Sequence, residues 1–263
     1  MPSFQQEIRQ VNVTRYITPL REGGSLPAIA EADDNFLYVL KFRGAGQGPK
    51  SLIAELLGGE IARALGLRVP EIVMARLDSA FGRTEPDEEI QDLLKASVGL
   101  NLGLHYLSGA ISFDPIVTRV DDDLASAILW LDCLLMNVDR TSNNTNMLVW
   151  NKELWLIDHG ASLYFHYSPE NWEKKAESPF KQIENHVLLP WATQLEKTDQ
   201  RFQSTLNSQK LKGIVDLIPD EWLNADGNSG PVSRDIYFRF LQIRVAASKI
   251  FIKEAQHARA AVV

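Results

Sequence analysis

Positions 137–163 read NVDRTSNNTNMLVWNKELWLIDHGASL, and no other stretch of the sequence concentrates as much chemistry. Asp139 follows a long apolar run, Asn144 stands five positions later, and Asp158 precedes His159 and Gly160. Phosphoryl transfer needs one carboxylate that orients and accepts the proton of an attacking hydroxyl. It also needs an Asp/Asn pair that holds Mg²⁺ against the nucleotide phosphates. Magnesium takes hard oxygen ligands, often one or two carboxylates with water and phosphate completing the shell. Asp139, Asn144 and Asp158 supply such a set. Singly they say little: Asp139 alone reads as a helix-end cap, and an isolated D-x-G as a turn after a strand. The joint occurrence, with two short strands between, is what points to catalysis. Asn143 and Asn146 are close enough to leave the identity of the metal asparagine open.

A second candidate group lies upstream. Lys41 sits in the apolar segment FLYVLKF, where lysine is disfavoured unless paired. The helical segment that follows carries Glu55 and Glu60. A strand lysine that touches the α- and β-phosphates and pairs with a helix glutamate is a requirement of kinase chemistry. Between the first two apparent strands stands Arg21-Glu-Gly-Gly-Ser. Gly23, Gly24 and Ser25 would offer backbone N–H groups to phosphates there and Arg21 a charge, although a plain surface turn accounts for the segment nearly as well. The segment GAGQGPKS at 44–51 looks superficially like a Walker A loop, but Pro49 separates glycine from lysine and removes an amide. We read it as a connector.

The elements that must position these groups follow from periodicity and punctuation. Residues 11–17 and 36–42 read as strands, separated by a turn-rich stretch from 18 to 28. A helix from Ser51, its N-cap, ends at Gly66, and residues 69–77 form a further strand. Beyond residue 80 the chain turns largely helical: 85–98 is polar and helical, 123–137 is apolar nearly all round as a fully buried helix should be, and the longest helix runs from 234 to about 257. Strands at 147–150 and 154–157 are joined by Asn151-Lys152-Glu153. The glycine-spaced stretch 99–109 falls in the larger part, with no chemistry assigned. The expected fold class is α+β: a small β-rich unit over residues 1–80 and a larger, mainly helical one over 81–263.

Bulk properties exclude several classes. The 263 residues are 45% hydrophobic and 23% charged, as in an ordinary globular protein. A net charge of -7 argues against a general nucleic-acid binder. The single cysteine, Cys133, sits in an apolar run as an inert thiol and forms no internal disulfide. The five histidines (His105, His159, His166, His186 and His257) lack metal-ligand spacing, and Trp130, Trp150 and Trp155 read as core. The N-terminal MPSFQQEIRQ has no apolar signal core and no run is long enough to span a membrane, so a cytoplasmic protein with no membrane partner is expected.

The stretch DRTSNN…LIDHG resembles the catalytic and metal-binding loops of the HipA-like and phosphatidylinositol-kinase-like families, whose pattern is D-R/x-H-x-x-N, a hairpin, then D-x-G. By that resemblance Asp139 is the catalytic base, Asn144 a metal ligand and Asp158 the principal metal ligand. Thr141 stands where those families often have His, and His159 where kinases commonly have Phe. The helix ending in GLRVPE resembles the HipA-like segment whose acidic residue lies eleven positions before the glycine, which is Glu55 here. The resemblance implies a bilobal protein-kinase-like fold, ATP with Mg²⁺ in the cleft, and transfer of the γ-phosphoryl group to Ser or Thr of a protein substrate. It further implies regulation by phosphorylation at Ser25 and, as a partner, an antitoxin-like regulator. The alternatives are a small-molecule or lipid kinase, and a non-catalytic nucleotide-binding module.

Overall fold

The computed structural model describes residues 7–20, 26–81, 86–224 and 232–262. Five strands, β1 (Gln10–Pro19), β2 (Ala28–Ala32), β3 (Leu37–Lys41), β4 (Ile72–Leu77) and β5 (Gly99–His105), close a barrel in the order β1-β2-β3-β5-β4. The β1–β4 seam is parallel and the other pairings are antiparallel. Strand periodicity decides the faces of β3: Tyr38 and Leu40 are buried among the barrel's own apolar residues, whereas Val39 and Lys41 face the other way. The turn-rich reading of 18–28 gives way at its end to β2, because AIAEA has no β-branched run beyond Ile29 to announce a strand. The stretch 99–109, expected among the helices, instead supplies β5, which pairs with both β3 and β4. Gly103 in it allows close approach: a Cβ there would lie 2.8 Å from Val73 of β4.

Helix α1 (Gly48–Ala64) starts three residues before the expected N-cap. Pro49 in its first turn is pre-set for helix and needs no donor, and Ser51, already inside, donates its hydroxyl to Gly48 O at 2.9 Å. Gly66, at φ 81°, ends it in the left-handed conformation as expected. This helix packs against β5 on one side and against helices α3, α6 and α7 on the other. Helix α2 (Glu88–Ala96) is capped by Asp87, whose side chain accepts from the amides of Glu89 and Ile90. Helix α3 (Asp122–Leu135) is buried on all sides from Ala125 onward, as its composition demanded. It ends at Met136 in the left-handed region.

Strands β6 (Ile111–Ser112), β7 (Met147–Trp150) and β8 (Glu153–Leu156) form a second sheet. Asn151 and Lys152, both at positive φ, make the two-residue turn between β7 and β8. Helices α4 (Trp172–Ala176), α5 (Leu195–Thr205), α6 (Ser208–Val215), α7 (Asp220–Leu223), α8 (Arg234–Ala246) and α9 (Ser248–Val262) complete the body. The single helix expected over 234–257 is thus two, broken at Ala247, so that α8 lies on α4 and α6 while α9 lies on α3 and α5. Trp222 of α7 ties body to barrel, its indole N–H donating to Leu100 O at 2.9 Å. Among the described residues no helix is long and apolar enough to cross a membrane.

Candidate active site

Lys41 closes β3 on the face turned away from the barrel interior. Its Nζ lies 2.6 Å from Glu55 Oε2 and 2.8 Å from Asp158 Oδ1. Strand parity places the lysine, and the packing of α1 delivers Glu55. Glu60 is buried as well but pairs with Arg63 of its own helix at 3.3 Å. Of the two acids the sequence offered, the one that meets Lys41 is therefore Glu55. Burial alone would push the Glu55 carboxyl up; Lys41 and His159 outweigh it and hold the pKa at about 2. Burial likewise works against the Lys41 ammonium, and the two carboxylates outweigh that, so its pKa is raised. Lys41 therefore stays charged while enclosed. Asp158 is the open member, its side chain 45% exposed against 1% for Glu55. Its backbone sits in the left-handed region at φ 56°, which Asp tolerates better than most residues.

His159, in the position where a phenylalanine is common, is buried between Asp158 and α1, with Nδ1 3.6 Å from Glu55 Oε1. Room for it comes from Gly58: a Cβ at that position would stand 2.5 Å from His159 Cβ. Gly58→Ala is accordingly expected to destabilise the protein by about 1–3 kcal/mol, since neither helix nor loop has slack. It should also weaken nucleotide binding, because His159 carries Asp158 with it. Thermal melts and nucleotide titrations would check both; a variant with unchanged melting temperature and affinity would remove the packing argument.

Asp139 follows α3 by a short turn. Its Oδ2 accepts from Asn144 Nδ2 at 2.9 Å and from Asn146 Nδ2 at 3.1 Å, which leaves Oδ1 without a hydrogen bond among the described residues. Asn146 also donates to the Asp139 carbonyl at 3.1 Å. Thr141, where a histidine was the family expectation, braces the loop by another route: its Oγ1 accepts from Asn144 N–H at 3.2 Å, and its own N–H donates to Asn144 O at 2.9 Å. The donated Asn144 amide turns its Nδ2 to Asp139, so its Oδ1 is the atom left to a metal. Asn146, one of the two competing asparagines, spends its Nδ2 on both the Asp139 carbonyl and carboxylate.

Lys41, Asn144 and Asp158 line one cleft of about 1030 Å³. Val39 and Leu104 of the barrel, Met147 of the second sheet and Ile157 just after β8 give it apolar walls, and the strand-to-strand connection His105–Leu107 runs along it. This connection was not picked out from the sequence. The only signal for it was the strand-like spacing of GLNLGLH, and that requires knowing that β5 lies beside β3. Arg21, Gly23, Gly24 and Ser25 lie outside the described residues; their flanking residues Leu20 and Pro27, joined by a 2.7 Å backbone hydrogen bond, line the cleft. A carboxylate and an amide oxygen on adjoining loops fit a hard divalent cation completed by phosphate and water. No group of three or more His, Cys, Asp or Glu able to hold a metal is found among the described residues. Of the other residues noted in the sequence, Trp130 is fully buried and donates to Asp199 at 2.9 Å, Trp150 and Trp155 pack edge to face, and Cys133 is buried with its thiol pushed up by that burial.

A small barrel joined to a helical body, with an ion-paired lysine and a loop-held aspartate meeting at one cleft, defines a protein-kinase-like fold. The crystal structure of a Helicobacter pylori proinflammatory kinase, CtkA, is similar to it with a TM-score of 0.54 at 14% identity, over 98% of this chain and 100% of that one. Lower similarity is found to the Golgi casein kinase (TM-score 0.47, 12% identity, 95% of this chain and 72% of that one). The same enzyme with Mn/ADP bound gives a TM-score of 0.46 at 13% identity over 97% and 74%. The family model described as HipA-like kinase matches residues 13–251, and the chain belongs to the HipA-like kinase family. No curated protein matches it.

Proposed function

We propose that the chain is an ATP- and Mg²⁺-dependent serine/threonine protein kinase, with two lobes meeting at the cleft, the smaller one built on the barrel. The observation that carries this is the Lys41–Glu55–Asp158 ion triad at a cleft that Asn144, hydrogen-bonded to Asp139, also lines. Lys41, kept charged by Glu55, binds the α- and β-phosphates. Asp158 and Asn144 hold the metal, which when bound neutralises charge developing on the phosphates. Asp139 orients the acceptor hydroxyl and takes its proton through Oδ1, the oxygen its asparagine partners leave open. Arg21, Gly23, Gly24 and Ser25 cover the phosphates, and Ser25 is an autophosphorylation site whose added charge of roughly -1.5 to -2 would repel ATP. A cytoplasmic location and an antitoxin-like regulator complete the reading.

The test is incubation with γ-labelled ATP and Mg²⁺, alone and with cell lysate and extracted lipids, followed by mass spectrometry of the products. Label on Ser or Thr of protein supports the proposal, and label on lipid or a small molecule replaces it with the alternative acceptor class. Absence of any transfer, with nucleotide still bound, makes the chain a binding module. Phosphopeptide mapping in the same samples decides Ser25.

A further inference from the structure

We infer that Asp132 is the positioning residue of the active site: one buried carboxylate, through three partners, sets where Asp139 stands. This rests on the kinase reading for the meaning of Asp139, but its geometry stands independently. Asp132 lies in the last turn of α3, fully buried, and both its oxygens are engaged. Oδ1 accepts from Asn137 Nδ2 at 2.9 Å; Oδ2 accepts from Arg140 Nε at 2.6 Å and from His186 Nε2 at 2.9 Å. The His186 tautomer is settled by its surroundings, because Nδ1 accepts from Leu188 N–H at 3.1 Å and the proton is left on Nε2 for Asp132.

Each partner reaches the catalytic loop from a different side. Asn137 accepts the Asp139 backbone N–H at 3.1 Å on its Oδ1, which fixes the residue from before. Arg140 fixes it from after. Its Nη1 donates to Asn146 O, whose side chain holds the Asp139 carboxylate, and to Ile157 O at 3.4 Å, the carbonyl that leads into Asp158. His186 brings in a separate segment: it forms a β-bridge with Thr141, and Val187 N–H donates to Arg140 O at 3.1 Å. Two residues of the proposed chemistry, Asp139 and Asp158, are thus indexed to one atom group at the end of a rigid, buried helix.

A buried ion pair by itself is weak evidence of a contribution to stability, since desolvation offsets much of the attraction. Burial raises the Asp132 carboxyl, and Arg140 and His186 reverse that and hold it well below the usual carboxylate range. What the arrangement supplies beyond stability is a single geometry. Three donors from two stretches of chain, residues 137–140 and His186, converge on one carboxylate and permit few alternative loop positions, which is the condition for holding a proton acceptor to within fractions of an ångström.

Four variants test this by turnover, nucleotide affinity, melting temperature and amide hydrogen exchange over residues 138–146. Asn137→Ala and His186→Ala should each lower kcat by about 10–100-fold, the range for lost supporting partners of a functional group. Nucleotide affinity should fall much less than kcat, because Lys41 keeps its ion pairs with Glu55 and Asp158, and exchange in the loop should speed up. His186→Gln can donate to Asp132 and accept from Leu188, and should recover most of the lost turnover. Asp132→Asn should do at least as much harm as either alanine variant; if it does not fold, Asn137→Ala and the His186 pair decide. Folded variants with wild-type kcat, a loss of affinity in step with kcat, or no rescue by His186→Gln would each overturn the inference. If the wild-type chain transfers no phosphate at all, the kinase reading falls and the exchange arm alone decides: unaltered loop protection in Asn137→Ala and His186→Ala would overturn the positioning role.

Discussion

Asp139→Ala is expected to bind nucleotide as the wild-type protein does and to transfer phosphate roughly 10²- to 10⁴-fold more slowly, the range for a lost general base. Affinity survives because Lys41, Glu55 and Asp158 make no hydrogen bond or ion pair with Asp139, and Asn144, which does, keeps its backbone bonds to Thr141. The substitution leaves the Asn144 and Asn146 amides without their shared acceptor, Asp139 Oδ2, although Asn146 keeps its bond to the Asp139 carbonyl. Some loop loosening is therefore included in the expected loss. Asp139→Asn keeps an oxygen acceptor and the side-chain size while removing the base, so the two variants together separate proton transfer from loop support. Full turnover in either, measured as phosphate incorporated per minute at saturating ATP, would remove Asp139 from the reaction.

Asp158→Ala should abolish Mg²⁺-dependent nucleotide binding and turnover together, while the fold remains. Loss of an outer partner of a metal ligand typically lowers metal affinity about 10–100-fold, and loss of the ligand itself should exceed that. The fold remains because the side chain is nearly half exposed and Lys41 keeps its second carboxylate, Glu55. An alanine at φ 56° is less at ease than aspartate, at about 1–2 kcal/mol. Asp158→Asn, which tolerates that backbone, is the control for this cost. Isothermal titration with ATP at fixed Mg²⁺, and again in EDTA, reads the effect. Undiminished, metal-dependent affinity in both variants would show that the cation is held elsewhere.

Much of the site was legible in the linear chain because its groups are close in sequence and bounded by elements with strong local signals. The all-round apolar segment after Asp121 could only be a buried helix, and it does deliver Asp139. The loop Asn151-Lys152-Glu153 between two short runs read as a hairpin connection; the turn is one residue shorter, with Glu153 already in β8, and it returns the chain to Asp158. Lysine in an apolar strand demanded a carboxylate. What remained hidden depended on pairings between distant segments. Strand β2 is built from alanines, which carry no strand preference of their own, and it becomes a strand because β1 and β3 flank it. β5 was a glycine-spaced stretch assigned to the larger unit until its registers with β3 and β4 were seen.

The sequence by itself determined the identities and order of the candidate groups, since a lysine in an apolar strand, an Asp/Asn pair suited to a hard cation and a further carboxylate are recognised by side-chain chemistry and short spacings. Only the tertiary structure brought Lys41 against Glu55, the acid that the family resemblance had singled out over Glu60. Glu55 and Glu60 are five residues apart on one helix, and about 100° per residue turns them to different faces, but which face meets β3 depends on how α1 packs. Only the tertiary structure, too, disclosed Asp132, Arg140 and His186 as one unit. His186 is separated from Asp132 by 54 positions, and no local pattern records a contact whose existence depends on where α3 ends in space.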